Sequence, residues 1–330
     1  MLSVICPIYN EAKYIDICVQ SILLQDFPKD KLEVLFVDGI STDGTRDIIN
    51  SYSRQYSFIH LLDNERRIVP VAMNIGIKAS KGDVIMRLDA HAQYPPNYFS
   101  ALVLKLYQLN ADNVGTICRT DVLNKTPKTL AIRTVLGNKL GVGNSTFRLG
   151  IDKVMEVDTV PFGCWKRDVF EKYGFYDERL IRNQDIELNK RIAHGGGHIF
   201  IVPDTYCTYL ARETFKGLAK NNFGNGRWNV LTVYYTKQFR SLSVRHFIPL
   251  LFLLSLFLPL LFALFYTPFA YLPFLFLSMY LLVLSSMSLY LSISKKLNAF
   301  YLLTTFVILH VSYGYGSLVG ILNCISHGKC

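Results

Sequence analysis

Short apolar runs alternate with amphipathic stretches over the first ninety positions of this chain, and near its end the alternation gives way to continuous hydrophobicity. Leu2–Cys6 (LSVIC), Leu32–Val37 (LEVLFV), Phe58–Leu62 (FIHLL) and Asp83–Leu88 (DVIMRL) read as short buried strands. Between them, Glu11–Leu24 places Ile15, Val19, Ile22 and Leu23 at helical spacing. Asp43–Tyr52 opens on Thr42 or Asp43 as a cap, and Pro70–Ala79 carries Pro in its first turn. Buried strands alternating with amphipathic helices predict a parallel sheet with right-handed crossovers. Ligands of such sheets sit beyond the carboxyl ends of the strands. Asp38 and Asp89 are both placed there.

The middle of the chain is patterned less regularly. Helices are expected over Asn97–Leu109, Thr129–Leu140, Val169–Tyr173 and Ile186–Ala193, with extended chain at Val114–Arg119 and His198–Val202. Gly137–Gly150, rich in Gly, Asn and Ser, reads as a loop. Beyond Thr214, the aromatic residues Phe215, Phe223, Trp228, Tyr234 and Tyr235 mix with Lys216, Lys220, Arg227, Lys237 and Arg240. That composition suits helices lying in a headgroup layer. Three membrane spans are expected at about 246–266, 269–292 and 297–322, or two spans and a re-entrant hairpin. The domain division is therefore 1–213, 214–244 and 245–330.

Charge sharpens this picture. No acidic residue follows Glu213, and no formal charge separates Arg245 from Lys295. Four of the 35 Lys+Arg (Arg245, Lys295, Lys296 and Lys329) lie beyond position 244, leaving 31 against 25 acidic residues in the first part. Basic residues stay cytoplasmic. Span one then runs outward, span two returns, and span three leaves the C-terminus outside. This describes a multi-pass protein of the cytoplasmic membrane with its catalytic domain in the cytoplasm. Seven scattered Cys without a CxxC read as reduced, buried thiols, with Cys324 and Cys330 beyond the last apolar segment. No basic leader precedes the first strand, so no signal peptide is expected. No basic run interleaved with aromatics suits a groove or strand of nucleic acid.

Three sites carry candidate chemistry. Asp38, followed by Gly39, can accept hydrogen bonds from a base ring while the glycine permits close approach. It equally suits an ordinary Asx-type turn. Asp89-Ala90-His91 offers an oxygen and a nitrogen two residues apart at a strand end, a pair that suits Mn²⁺, with Mg²⁺ preferring oxygens. Asp185, in Asn183-Gln184-Asp185-Ile186-Glu187-Leu188, opens a helix; it is either a cap or a base that takes a proton from an acceptor hydroxyl.

In order along the chain stand Pro7-Ile8-Tyr9-Asn10-Glu11, Val37-Asp38-Gly39-Ile40-Ser41-Thr42-Asp43-Gly44-Thr45, Ala72-Met73-Asn74-Ile75-Gly76-Ile77, Leu88-Asp89-Ala90-His91-Ala92 and the Asp185 segment. Together these resemble a family 2 glycosyltransferase over about residues 1–230. The string from Leu88 to Pro95 and the C-terminal spans are similar to the succinoglycan-type glucosyltransferases of exopolysaccharide assembly. The resemblance implies a GT-A fold, an α/β nucleotide-sugar domain with a mixed, mostly parallel sheet. It implies an inverting transfer from a nucleotide-sugar donor, with UDP-glucose the expected UDP-hexose, to a lipid-linked saccharide acceptor at the membrane, assisted by Mn²⁺ or Mg²⁺. By position, Asp38 would hold the nucleobase, Pro7, Tyr9 and Glu11 would line the nucleotide pocket, and Asp89 and His91 would serve ribose and metal-diphosphate. Asp185 would be the base, Gly163 and Cys164 would lie in an acceptor loop, and Arg227-Trp228 would match part of a Gln-x-x-Arg-Trp motif.

This chain departs from the family pattern at Gly39, where a second Asp is usual, at His91 for the second Asp of Asp-x-Asp, at Gln184 for a Glu, and at Gly224 for the Gln of the last motif. The last departure argues against processive polymerisation. The others leave a second expectation beside the enzyme, a nucleotide-sugar-binding membrane scaffold without activity. A dinucleotide-dependent dehydrogenase is excluded, because no GxGxxG follows the first strand.

Overall fold

The computed structural model describes residues 1–143, 145–237 and 244–327. The predicted roles of Arg240 and Cys330 fall outside the described residues, as does Asn144 of the predicted loop. The strands are β1 (Leu2–Ile8), β2 (Leu32–Asp38), β3 (Ile59–Asp63), β4 (Val84–Arg87), β5 (Ala92–Gln93), β6 (Asn113–Asp121), β7 (Met155–Glu156), β8 (Cys164–Lys166) and β9 (Ile199–Leu210). They form one sheet in the order β3-β2-β1-β4-β8-β6-β9-β5, with β7 on β9. The chain divides into two compact units. One holds Met1–Arg119 and Thr146–Leu210, the other Thr120–Ser145 and the chain from Ala211 onward. The first unit thus ends at Leu210, and the excursion at 120–145 groups with the chain from Ala211 onward.

In the first unit the four predicted strands are all present and parallel. β1 lies between β2 and β4, pairing Ile8 with Asp38 and Ile5 with Arg87. Their side chains alternate between two cores, as a two-residue period requires. Leu2, Val4 and Cys6 of β1 meet helices Ile15–Leu23 and Tyr98–Gln108 on one face. Ile5 meets helices Val69–Ala79, Asp168–Tyr173 and Gln184–His194 on the other. Burial on both faces is why these strands read as unbroken apolar runs. The second half of the sheet is antiparallel, through β4–β8, β6–β8, β5–β9 and β7–β9. β9 runs well past the predicted Val202, because Pro203 and the polar Asp204 and Thr205 mask its continuation.

The second unit is helical. Phe215–Thr236 is a single 22-residue helix packed on the last helix, Ala299–His327. Glycines set that approach. A Cβ on Gly226 would fall 1.9 Å from the Tyr313 carbonyl oxygen, and one on Gly316 would fall 2.0 Å from that of Phe223. Ser317 Oγ donates to the Gly226 carbonyl at 3.2 Å, and Arg227 Nε to Asn323 Oδ1 at 2.9 Å. Small residues of this kind let helix backbones meet closely.

Of the three expected spans, the first is the short one. Ile248–Phe262 is a 15-residue helix. At 1.5 Å per residue it covers about 22 Å, short of the ~30 Å of a hydrocarbon core. Thr267–Lys295 and Ala299–Ser326 are long and apolar enough to cross. Cys324 lies within the last helix rather than beyond it. Phe265 is 90% exposed, and Leu264, Tyr271, Phe274, Leu282 and Ile293 are also turned outward.

Gly226→Leu should lower the unfolding free energy of the detergent-solubilised protein by at least the about 1–3 kcal/mol typical of overpacking. Gly137→Ala is the control, because a Cβ there meets nothing nearer than 3.7 Å. Equal thermal shifts for the two variants would contradict the close-packed helix pair.

Candidate active site

The loops that follow β1 and β2 are laced together at the carboxyl edge of the sheet. Asn10 N donates to Ser41 Oγ at 2.8 Å, Glu11 N to Thr45 Oγ1 at 2.8 Å, and Ala12 N to Asp43 Oδ2 at 3.0 Å. Thr42 N returns a bond to Asn10 Oδ1 at 2.9 Å. Asp43 also accepts from Thr45 N at 3.1 Å, just ahead of helix Thr45–Gln55. Partial burial works against its charge, but these hydrogen bonds outweigh it and hold the Asp43 carboxyl below its ordinary range.

Asp38 ends β2 and is fully enclosed. Its carboxylate accepts from Ser41 N at 2.9 Å, from the Ser41 hydroxyl, and from Arg46 Nη1 at 2.7 Å. Arg46 is shared with Asp63 at the end of β3. The Asp38 carboxylate is thus bonded to its own loop and to Arg46 of the following helix. Tyr9 is the accessible neighbour. Its ring is 45% exposed and lies over Gly39, where a Cβ would come within 3.0 Å of Cδ2. A second Asp at position 39 would push that ring aside, which gives the glycine departure a physical reason. Pro7, one register step before Ile8, pairs with Val37 inside the sheet.

The end of β4 carries the second group. Arg87 Nε and Nη2 donate to Asp89 Oδ1 at 3.1 and 3.0 Å. Asp89 is further pinned by Tyr94, whose hydroxyl accepts from the Asp89 amide at 2.9 Å and donates to its carbonyl at 3.1 Å. His91 Nδ1 lies 3.2 Å from Glu11 Oε1, and its ring stands edge-on to Tyr209 with centroids 5.1 Å apart. The structure thus brings Glu11, Asp89 and His91 to one sheet edge beside Tyr9.

Asp185 sits in the first turn of Gln184–His194, and its Oδ1 accepts from Ile186 N at 2.9 Å. One turn on, Asn189 points into the core, donates to the Val160 carbonyl at 3.1 Å, and accepts from Asn113 Nδ2 at 2.7 Å. Asn113 Oδ1 takes the Cys164 amide at 3.1 Å. Cys164 is therefore not in a loop. It lies buried in β8, and burial pushes its thiol pKa well up. Gly163 forms the turn before it at φ 105°, where a Cβ would strike Trp165. Arg227 and Trp228 stand on the helix Phe215–Thr236, with Trp228 stacked on Tyr235.

Five non-glycine residues at this edge, Asn10, Ile40, Arg67, Phe162 and Asn183, adopt left-handed backbone with φ between 54° and 62°. Strain of this kind costs about 1–3 kcal/mol per residue and collects at functional sites. Sequence reasoning gave no role to Arg46, Asn74, Arg87 and Tyr176. Asn74 gave a signal as a polar residue in an apolar helix: its side chain holds both the amide and the carbonyl of Tyr176, at 3.0 Å each. Arg87 gave one too, as a cation inside the apolar strand VIMR.

Comparison with known proteins decides what this edge belongs to. Residues 3–174 match the family model described as Glycosyl transferase family 2, more than half of the chain. The chain belongs to that family. It is a glycosyltransferase. It is 29% identical over 231 residues to the dolichyl N-acetyl-alpha-D-glucosaminyl phosphate 3-beta-D-2,3-diacetamido-2,3-dideoxy-beta-D-glucuronosyltransferase of Methanococcus voltae, covering 68% of this chain and 71% of that one. Over 235 residues it is 29% identical to the succinoglycan biosynthesis protein ExoA of Rhizobium meliloti, covering 68% and 67%. Its fold is similar to the solved mannosyltransferase PcManGT from Pyrobaculum calidifontis in complex with GDP-Man and Mn²⁺. That match has a TM-score of 0.59 at 19% identity and covers 98% of this chain and 87% of that one. The glycosyltransferase has the GT-A-like architecture expected from its sequence.

Glu187 is two positions from Asp185 and is tied elsewhere. It grips Arg191 Nε at 2.9 Å and Nη2 at 2.7 Å, while Arg191 donates to the Phe175 carbonyl at 2.9 Å. Glu187→Gln should therefore lower stability by about 1–2 kcal/mol, once screening at the partly exposed Arg191 is allowed for. Turnover of the folded protein should stay near wild type. A selective loss of turnover at unchanged melting temperature would place Glu187 in the chemistry instead.

Proposed function

We propose that this glycosyltransferase moves a hexose from a UDP-sugar, with glucose favoured, to a polyprenyl-diphosphate-linked saccharide, inverting the anomeric centre in one displacement. The observation that carries this reading is the convergence of Tyr9, Glu11, Asp89 and His91 at one sheet edge, with the Asp185 helix in the same compact unit. The exposed Tyr9 ring offers a stacking face for the base, and Asp38 anchors the loop beneath it. A lipid-linked acceptor is supported by the Methanococcus relative, named for transfer to a dolichyl-phosphate-linked sugar, and polysaccharide assembly by the Rhizobium relative, named for succinoglycan biosynthesis.

The donor set suits a divalent cation held mainly by its substrate. Arg87 occupies Asp89 Oδ1 and not Oδ2, and the His91 ring is steadied by Glu11. Among the described residues no three His, Cys, Asp or Glu side chains gather into a ready cage. Asp89 and His91 would hold the ion, with diphosphate oxygens and water completing it, as Mg²⁺ and Mn²⁺ tolerate. Bound there, the ion would supply charge stabilisation for the departing diphosphate. Asp185 would accept the proton of the attacking hydroxyl on its carboxylate. Gln184 is buried and adds no second charge beside it. Gly163 would shape the acceptor side by its turn, and Arg227 and Trp228 are proposed as acceptor residues on their match to the Arg-Trp of the family motif alone.

Membrane placement is proposed through the helices Thr267–Lys295 and Ala299–Ser326, whose outward apolar side chains call for a lipid partner. The cytoplasmic side suits the catalytic unit, because Cys6, Cys18, Cys118, Cys164 and Cys207 are all free thiols.

The test is nucleoside diphosphate release from a panel of nucleotide-sugars with membrane-extracted lipid acceptor. Release should stop in chelator and return with Mn²⁺ or Mg²⁺. Asp185→Asn should bind donor normally and lose about 10²–10⁴ in turnover, the usual worth of a general base. Full turnover in chelator removes the metal, and near-normal turnover of Asp185→Asn removes the base. Binding without release from any donor leaves the inactive scaffold.

A further inference from the structure

The apolar helices of the second unit do not all have the same surroundings. Ile248–Phe262 and Leu272–Lys295 form a hairpin joined by the short 3₁₀ turn Thr267–Tyr271. No formal charge lies between Arg245 and Lys295, and all but five of residues 257–279 are exposed. The turn satisfies its own backbone. Ala263 N donates to the Pro259 carbonyl at 2.8 Å, Phe265 N and Tyr266 N to that of Phe262 at 3.0 Å each, and Phe269 N to that of Tyr266 at 3.1 Å. Pro268 has no N–H to place. A turn in water can leave such donors to solvent, whereas one in hydrocarbon cannot. The first leg covers about 22 Å, so the turn stops inside a core of ~30 Å. Arg245 stands before the first leg and Lys295-Lys296 end the second, which puts both ends of the hairpin on the basic, cytoplasmic side.

The last helix, Ala299–His327, is instead covered by polar neighbours. Ala131 and Val135 of helix Pro127–Leu136 share a core with its Leu302, Phe306 and Leu309. His310 Nε2 donates to the Leu140 carbonyl at 2.9 Å. Phe215–Thr236 runs beside it in the same direction. Phe215 meets Tyr301 and Phe223 meets Tyr315, with ring centroids 6.2 and 5.7 Å apart, and Arg227 meets Asn323 at 2.9 Å. Two helices packed along their length share one depth. Phe215–Thr236 carries Lys216, Lys220 and Arg227 together with four Asn, and both lysines are exposed. Such a helix is costly in hydrocarbon and suits the headgroup layer. Its companion stays there with it, although by length and composition alone Ala299–Ser326 could cross.

We propose that this protein enters the membrane from one side without crossing it. The hairpin 248–295 dips from the cytoplasmic face and returns, and lipid hydrocarbon covers its exposed surface. The last helix lies at headgroup level beside Phe215–Thr236, its outward apolar side chains toward the lipid, and the C-terminus stays in the cytoplasm. This rests on the membrane placement proposed above and narrows it. It replaces the outward C-terminus that counting apolar runs leads to.

The test uses the full-length protein in bacterial inner membrane and a membrane-impermeant maleimide. Cys324 and Cys330 report the C-terminal end, because the other five cysteines are buried. They should stay unlabelled in intact spheroplasts and become labelled in inverted vesicles, and Cys324→Ser/Cys330→Ser should remove the signal. In that serine background, Phe265→Cys should be unlabelled from either face. A nitroxide attached there should collide more with oxygen than with a water-soluble nickel chelate. Labelling of the C-terminal cysteines in intact spheroplasts overturns the proposal, since the last helix then crosses. So does labelling of Phe265→Cys from outside, since the hairpin then spans. Spin–spin broadening at position 265 overturns the lipid occupant, because a second copy then covers the hairpin. Release of the natural chain by alkaline carbonate removes the membrane placement itself, and this proposal falls with it. If Phe265→Cys fails to fold, labelling of the natural C-terminal cysteines decides alone.

Discussion

β1 pairs in parallel with β2 on one side and β4 on the other, and the register of those two ladders fixes where the chemistry sits. Ile8 opposite Asp38 and Ile5 opposite Arg87 bring both strand ends to one edge, with Asp63 carried there by β3. A shift of one residue in either ladder would turn every apolar side chain of that strand to the wrong core. The hydrophobic pattern of Leu2–Ile8 therefore positions polar groups it never touches. The connecting loops then cross-bond through Asn10, Ser41, Asp43 and Thr45, which holds left-handed backbone in place at Asn10 and Ile40.

Charge at this edge is arranged in linked sets. Asp38, Arg46 and Asp63 form one, in which a buried carboxylate is matched by a cation shared with a second acid. Arg87 and Asp89 form another, with Glu11 and His91 beside it. Ion pairs at such burial are retained less for net stability than for fixing geometry. Two departures from the family pattern fit the same picture. Gly39 makes room for the Tyr9 ring, and Gln184 keeps a buried position next to Asp185 neutral.

Much of this was legible in the sequence, and the reasons are local. The four parallel strands and their helices announced themselves because each strand is buried on both faces and bounded by turn residues. Asp38, Asp89, His91 and Asp185 could be singled out because each sits at the end of an element that periodicity could locate. What escaped depended on contacts distant in sequence. Glu11 meets His91 eighty residues away, and Asn74 holds Tyr176 from 102 residues away. Cys164 was misplaced because a three-residue strand such as β8 leaves no periodic trace. The glycines of Phe215–Thr236 look neutral in sequence; only opposite the backbone of the last helix do they become a packing surface. Pro259 and the short helix around it explain why an unbroken apolar run overstated the count of long spans.

The account rests on a single displacement with one base at Asp185, and the stereochemistry of the product reports on that directly. Proton NMR of the sugar transferred from an α-linked nucleotide donor should show a β linkage throughout. An α linkage would mean retention, through two displacements or a same-face substitution, and would contradict a single in-line displacement with Asp185 as base.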